Sequence, residues 1–243
     1  METIDLGITT LEEPVQINLN DVTSTSDANI PGIELLMNDS IKKTNNSKID
    51  VGDLNNLEDE ESKKKLSNIN EKILNKKLFP ITFGGEHSIT PGCINPFIKK
   101  YNKLCLLHFD AHADLRESYN GNKFSHASAI KRCLDYKNVS VISFGIRNIS
   151  ASEVAYLKKN SSRINIFWAK DKMKWDLNKF KKMVKNKTVY LTFDVDGLDA
   201  SIMPATGTPE PGGLLWDETI NIIKIACKHS NIVGADINEL SPI

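Results

Sequence analysis

Six short apolar runs, separated by helix-compatible stretches, constrain this chain more tightly than any other feature. They are LFPITF (78–83), KLCLLHF (103–109), VSVISFG (139–145), RINIFW (163–168), TVYLTF (188–193) and NIVGADI (231–237). Runs that are apolar throughout, rather than alternating with polar residues, belong to strands covered on both faces. Helical spacing lies between them. Residues 59–76 set Leu66, Ile69, Ile73 and Leu74 on one side, and 152–159 and 176–185 have suitable length and composition. The stretch 217–228 opens with an acidic first turn and carries Ile220, Ile223 and Ile225 on its apolar side. This alternation predicts an α/β fold built on a mainly parallel sheet.

At 243 residues the chain can bury one large core, and it is read as a single domain, 1–243, whose first 77 residues are a divergent polar region. Within that region IDVGDLN (49–55) reads as a short strand. Lys plus Arg number 31 and so do Asp plus Glu, a balance that argues against nucleic acid as the partner. Residues 170–187 hold eight lysines in eighteen positions, read as the solvated side of a helix. No apolar stretch approaches the roughly 18 residues of a membrane span. The opening METIDLGITTLEEP lacks the basic-then-apolar pattern of a secretion signal, so a cytoplasmic location is expected. Cys93, Cys105, Cys133 and Cys227 are widely spaced and form no CxxC pair, as expected of reduced structural thiols.

The polar motifs follow strands and do not precede them, and in open parallel sheets ligands sit at the carboxyl ends of strands. In DAHAD an extended backbone would point Asp110, His112 and Asp114 the same way, with small alanines between them. Such groups repel one another unless a cation lies among them. Asp194 and Asp196 of DVDG repeat the pattern, with Gly197 permitting a sharp turn. GGEHS delivers His87 just after another strand. Four aspartates and two histidines exceed what one small ion takes and suit two. Two dications would balance four carboxylates and make a dry site tolerable. Oxygen-rich ligation favours Mn²⁺ or a similar ion over thiolate-seeking zinc. A water held by such a pair is a nucleophile at neutral pH, which predicts hydrolysis.

GGEHSIT, LHFDAHADLRES, TFDVDGLDASIMPATGTPEPGGL and GADINELSP, in this order, resemble the ureohydrolase family, the arginase and agmatinase group. The resemblance spans 78–243. It implies a three-layer α/β/α fold of the arginase/deacetylase type and two Mn²⁺ per subunit. It implies cleavage of a guanidino group to urea and an amine. By motif, the metal ligands it implies are His87, Asp110, His112, Asp114, Asp194 and Asp196. Asp114 is also implied as a catalytic residue, together with His126 of NKFSHAS, which would pass a proton to the leaving amine. An imidazole suits that task because its ordinary pKa lies near neutrality. Glu239 of NELSP is implied as the carboxylate that pairs with the substrate guanidinium, two oxygens facing two N–H groups. Asp236 would support the same loop or cap it.

His108 is read as a core residue or a support for the ligands, His229 as exposed, and Trp168 and Trp216 as packing residues. PEPGGL and the short DLRESYNGNKFSHAS loop look more like agmatinases than arginases. The expected substrate is therefore agmatine, then another guanidino compound such as guanidinobutyrate or guanidine, then arginine. A trimer or hexamer is expected from the resemblance. The GxxxGP-type opening loop of the family and its closing segment find no match, so the chain is expected to be truncated at both ends. A truncated chain that is an inactive metal-binding or interaction partner is the rival reading.

Overall fold

The computed structural model describes residues 60–241. The short strand expected at 49–55 lies outside them. In chain order the elements are α1 (Glu60–Asn75), β1 (Ile81–Phe83), α2 (Thr90–Lys100), β2 (Leu104–Phe109), α3 (Ala129–Leu134), β3 (Val139–Phe144), α4 (Ala151–Lys159), β4 (Ile164–Phe167), α5 (Leu177–Val184), β5 (Thr188–Asp194), α6 (Trp216–His229) and β6 (Asn231–Asn238). The six strands form one sheet in the order β1-β6-β5-β2-β3-β4, and every pair is parallel.

Side chains of neighbouring strand residues go to opposite faces, and the two halves of the core follow that alternation. Leu104, Leu106, Val139, Val141, Tyr190 and Val233 join Leu66, Ile94, Phe97 and Ile130 from α1, α2 and α3 on one face. Cys105, Leu107, Phe109, Ile142, Phe144, Val189 and Leu191 join Phe180, Val184, Ile222 and Ala226 from α5 and α6 on the other. The strands are apolar throughout because both faces are covered, and the arrangement is three layers. Phe144 lies at the centre of the second face, stacked on Phe167 at 4.4 Å between centroids and met edge-on by Phe180 at 4.9 Å. Burying such a ring stabilises by about 2–3 kcal/mol.

Four departures from the sequence reading have physical causes. β1 is only three residues long, because Pro80 has no N–H to give to a ladder; its carbonyl still accepts from Ala235 N at 3.0 Å. α2 was not anticipated: Pro91 fits its first turn, but Pro96 inside it masks the helical pattern. α3 has six residues, too few to display a period. Trp216 is 42% exposed at the start of α6 rather than packed, whereas Trp168 packs against the first half of the core. α1 reaches α2 across Gly92, where a Cβ would meet the Lys63 backbone at 3.0 Å. Among the described residues no helix is long and apolar enough to cross a membrane. Cys93, Cys105 and Cys133 are buried and free, and burial raises their thiol pKa values.

Candidate metal centre

The central strands β2, β5 and β6 and the edge strand β1 end side by side, and their parallel direction brings the motifs that follow them to one edge of the sheet. Close approach of the tips of β2 and β5 is made possible by Gly197, where a Cβ would lie 2.6 Å from Asp110 N. Asp110 is fully buried between two groups of ligand-type atoms and divides its oxygens between them. Its Oδ2 lies 3.1 Å from His87 Nδ1, and its Oδ1 lies 3.5 Å from His112 Nδ1.

The inner group gathers around His87, which is 0% exposed. Besides Asp110, Oδ2 of Asp114 lies 3.0 Å from His87 Nδ1 and Oδ2 of Asp194 lies 3.6 Å away. The other ring nitrogen, Nε2, is 2.8 Å from Thr192 Oγ1, and Thr192 donates to Asp236 Oδ1 at 2.7 Å. A carboxylate takes no proton from a neutral imidazole through a hydroxyl that is already donating. Thr192 therefore accepts from Nε2–H, which leaves Nδ1 as the ring atom that faces the acids. Asp236 lies within β6, not in the loop after it, and also accepts from Asn238 Nδ2 at 2.6 Å; it supports the His87 ring and does not cap the Glu239 loop. His108 has both ring nitrogens engaged, with Ser143 Oγ at 3.0 Å and Asp110 Oδ2 at 2.9 Å, so it holds Asp110 in place.

The outer group consists of His112, 28% exposed at the side chain, with Asp110 and Asp196. Asp196 Oδ2 is 3.0 Å from His112 Nδ1 and accepts from Thr208 Oγ1 at 2.9 Å, while its Oδ1 accepts from Ala111 N at 3.0 Å. Glu210 Oε1 stands 3.4 Å from the far nitrogen of His112 and accepts from Asn148 Nδ2 at 2.7 Å. The guanidinium of Arg147 ties this loop to the tip of β5, donating to the carbonyls of Asp196 at 2.7 Å, Leu198 at 3.1 Å and Glu210 at 2.7 Å.

DAHAD is not extended throughout, as the spacing alone suggested. Asp114 has φ 52°, which turns its carboxylate toward His87 while His112 faces Asp196. Glu239 also has a positive φ, 64°, and its carboxylate accepts from His87 N at 2.7 Å. Its own N–H donates to Gly85 O. Left-handed backbone at two non-glycine acids stores about 1–3 kcal/mol each, the kind of strain that functional sites carry. His126 starts the short turn His126–Ser128 that packs against the turn His87–Ile89, and it feels the charges of Glu86, Glu239 and Asp114.

The electrostatics point to cations. Burial opposes charge on Asp110, yet His108, His112 and His87 around it hold its carboxyl well below the usual range. Burial first, then the charges of Asp110 and Asp196, push Asp194 well above that range, and burial with Asp110 raises Asp114. Burial lowers the pKa of His112, but Asp110 and Asp196 outweigh it and carry it to about 11. Burial raises Glu239 to about 7. His87 Nδ1 is buried and makes no hydrogen bond, although three carboxylate oxygens face it. A cation at that point would satisfy the nitrogen and the crowded acids together, so the residues present fit a metal ion.

Sequence reasoning passed over Glu86, Thr192, Thr208, Glu210 and Arg147. Glu86 sits beside His87 in GGEHS, and Thr208 and Glu210 lie in the same TGTPEPGG stretch as the recognised motif. The lysine run behaves as a solvated surface, with Lys172 half-buried and the other seven exposed; His229, read as exposed, is half-buried.

Fold and site together define a parallel α/β protein with a two-part candidate metal centre at the carboxyl edge of its sheet. The profile of the arginase family matches residues 27–243, and the chain belongs to that family. Over 174 residues it is 37% identical to an agmatinase of Bacillus anthracis, covering 71% of this chain and 59% of that protein. Over 204 residues it is 33% identical to the mitochondrial guanidino acid hydrolase of Homo sapiens, covering 79% and 57%. The crystal structure of the agmatine ureohydrolase of Thermoplasma volcanium superposes with a TM-score of 0.68 at 31% identity, covering 81% of this chain and 66% of that one. The chain thus spans about three-fifths of the length of the curated relatives it matches. The family match begins well before residue 78, where the motif resemblance began.

Proposed function

We propose that this chain hydrolyses a guanidino group to urea and an amine, with two Mn²⁺ held by His87, Asp110, His112, Asp114, Asp194 and Asp196. The observation that carries this reading is Asp110, one buried carboxylate whose two oxygens face two separate groups of ligand-type atoms. His87, Asp114 and Asp194 would hold one ion, His112 and Asp196 the other, and Asp110 both. When bound, such ions would lower the pKa of a water and hold the charge that develops on its oxygen.

The chain's own residues would do the rest. Glu239 offers its carboxylate to the guanidinium, which suits a group otherwise raised to about 7 by burial, because a paired cation restores its charge. His126 gives the proton that the departing amine requires. Asp114, already turned toward His87, orients the entering water by accepting one of its protons as a hydrogen bond.

The substrate proposed is agmatine, with putrescine as the second product. Glu210 and Glu239 set two carboxylates about the centre, an environment that suits a molecule cationic at both ends. We further propose a cytoplasmic homo-oligomer, trimer or hexamer, acting on this small molecule without nucleic acid or membrane.

The test is urea release by the purified chain, with and without added Mn²⁺, from agmatine, guanidinobutyrate, guanidine and arginine side by side. Mn²⁺-dependent release, fastest from agmatine, is expected. A soluble, metal-loaded protein that releases urea from none of them would favour the inactive binding partner instead.

A further inference from the structure

The proton-handling histidine of the proposed reaction does not stand alone. His126 Nδ1 lies 3.1 Å from Glu86 Oε1, and the other oxygen of Glu86 accepts from Ser88 Oγ at 3.1 Å. That second bond fixes the carboxylate plane from below. Ser125 Oγ, at 3.5 Å, is a more distant neighbour of the same ring nitrogen. The Tyr119 ring meets the imidazole edge-on at 5.7 Å and limits its tilt. Both partners are partly solvated, His126 43% and Glu86 38% exposed at the side chain, so free rotation of an unheld imidazole would be easy. Glu86 also precedes His87, which the proposed centre uses. One dipeptide therefore reaches the centre with one side chain and the proton carrier with the other.

We propose that Glu86 is a positioning residue: it holds the Nδ1–H edge of His126, so that Nε2 is the atom that faces the substrate. This rests on the hydrolase reading above. In the step concerned, the water that adds to the guanidino carbon gives up one proton to solvent on addition and its second to solvent as the oxygen becomes the urea carbonyl. The bond between that carbon and the amine nitrogen breaks, its electron pair stays on the nitrogen, and the His126 Nε2 proton moves to that pair. His126 is left neutral with Nδ1–H still donated to Glu86, and bulk water returns a proton to Nε2. Without Glu86 the neutral ring can carry its proton on either nitrogen and turn either edge to the cleft, so a fraction of encounters finds the wrong atom.

The experiment is a double-mutant cycle on the Mn²⁺-loaded chain with Glu86→Ala, His126→Asn and the pair. Glu86→Ala should lower kcat about tenfold with KM within about twofold and bound Mn²⁺ unchanged. Adding it to His126→Asn should cost nothing more, since a residue that acts through another has no effect once that one is gone. Glu86→Gln, which keeps an acceptor oxygen, should recover part of the loss. Multiplying effects in the pair, or loss of Mn²⁺ from Glu86→Ala, would overturn the assignment and make Glu86 a structural tie. Imidazole ¹⁵N shifts of His126 in metal-free protein read the same contact without turnover. Nδ1 protonated in the parent and mixed tautomers in Glu86→Ala are expected; identical spectra would overturn the assignment even if the chain released no urea.

Discussion

The two halves of the candidate centre share Asp110 and differ in everything around it. The inner half is dry: His87 is fully buried, and its ring is held from behind by Thr192 and Asp236 within β5 and β6. The outer half stands at the rim, where part-exposed His112 lies beside Glu210 and Asp196 is held by Thr208, both from a loop that Arg147 pins down. Strands hold the first and a loop holds the second. The buried half should therefore bind its ion tightly and exchange it slowly, while the rim half should exchange with solvent.

Replacing the shared or buried ligands tests this division most severely. Asp110→Ala and His87→Ala should each abolish urea release, with Asp110→Ala emptying both positions and His112→Ala leaving about one Mn²⁺ per chain. Metal analysis after gel filtration reads the difference; one ion retained by Asp110→Ala would mean that the halves do not share it. A smaller effect follows from proton competition. Without metal, Asp114 and Asp194 are raised, His87 is raised well above its ordinary value by Asp110 and Asp114 against the opposing effect of burial, and His112 reaches about 11. Each group binds metal in its proton-free form, so uptake must release protons, and affinity must fall as pH falls from about 11, where His112 gains its proton. Titration calorimetry in buffers of unlike ionisation enthalpy measures the release; heats that do not change with buffer would contradict it. The smallest effect belongs to the supports. Thr192→Val should weaken the inner ion about tenfold to a hundredfold, and Thr208→Val should touch only the outer ion and by less. Competition with a chelator ranks them, and equal losses from both variants would erase the distinction drawn here.

Much of this was legible in the residues themselves. Apolar runs identified all six strands because a strand covered on both faces must be apolar throughout, and the run ends marked where the acids emerge. The split of DAHAD was not legible. Period-two spacing places Asp110, His112 and Asp114 on one side, but the left-handed backbone at Asp114 sends them to different partners, and no spacing rule reports a single φ. α2 was hidden by Pro96, and Thr192 by its place inside an apolar strand, where a lone hydroxyl reads as filler until β6 brings Asp236 beside it. Glu86 gives no sign of its role in the sequence, because its partner His126 lies forty positions away and only the fold brings them together.

Gly197 carries one last consequence. Because main chain touches main chain where it meets Asp110, the span between the two groups of ligand-type atoms is ruled by peptide geometry. Rotamers can breathe by an ångström or more, but two abutting backbones cannot. A methyl group at 197 would act as a wedge, prising apart the two strands that supply five of the six proposed ligands while altering none of them.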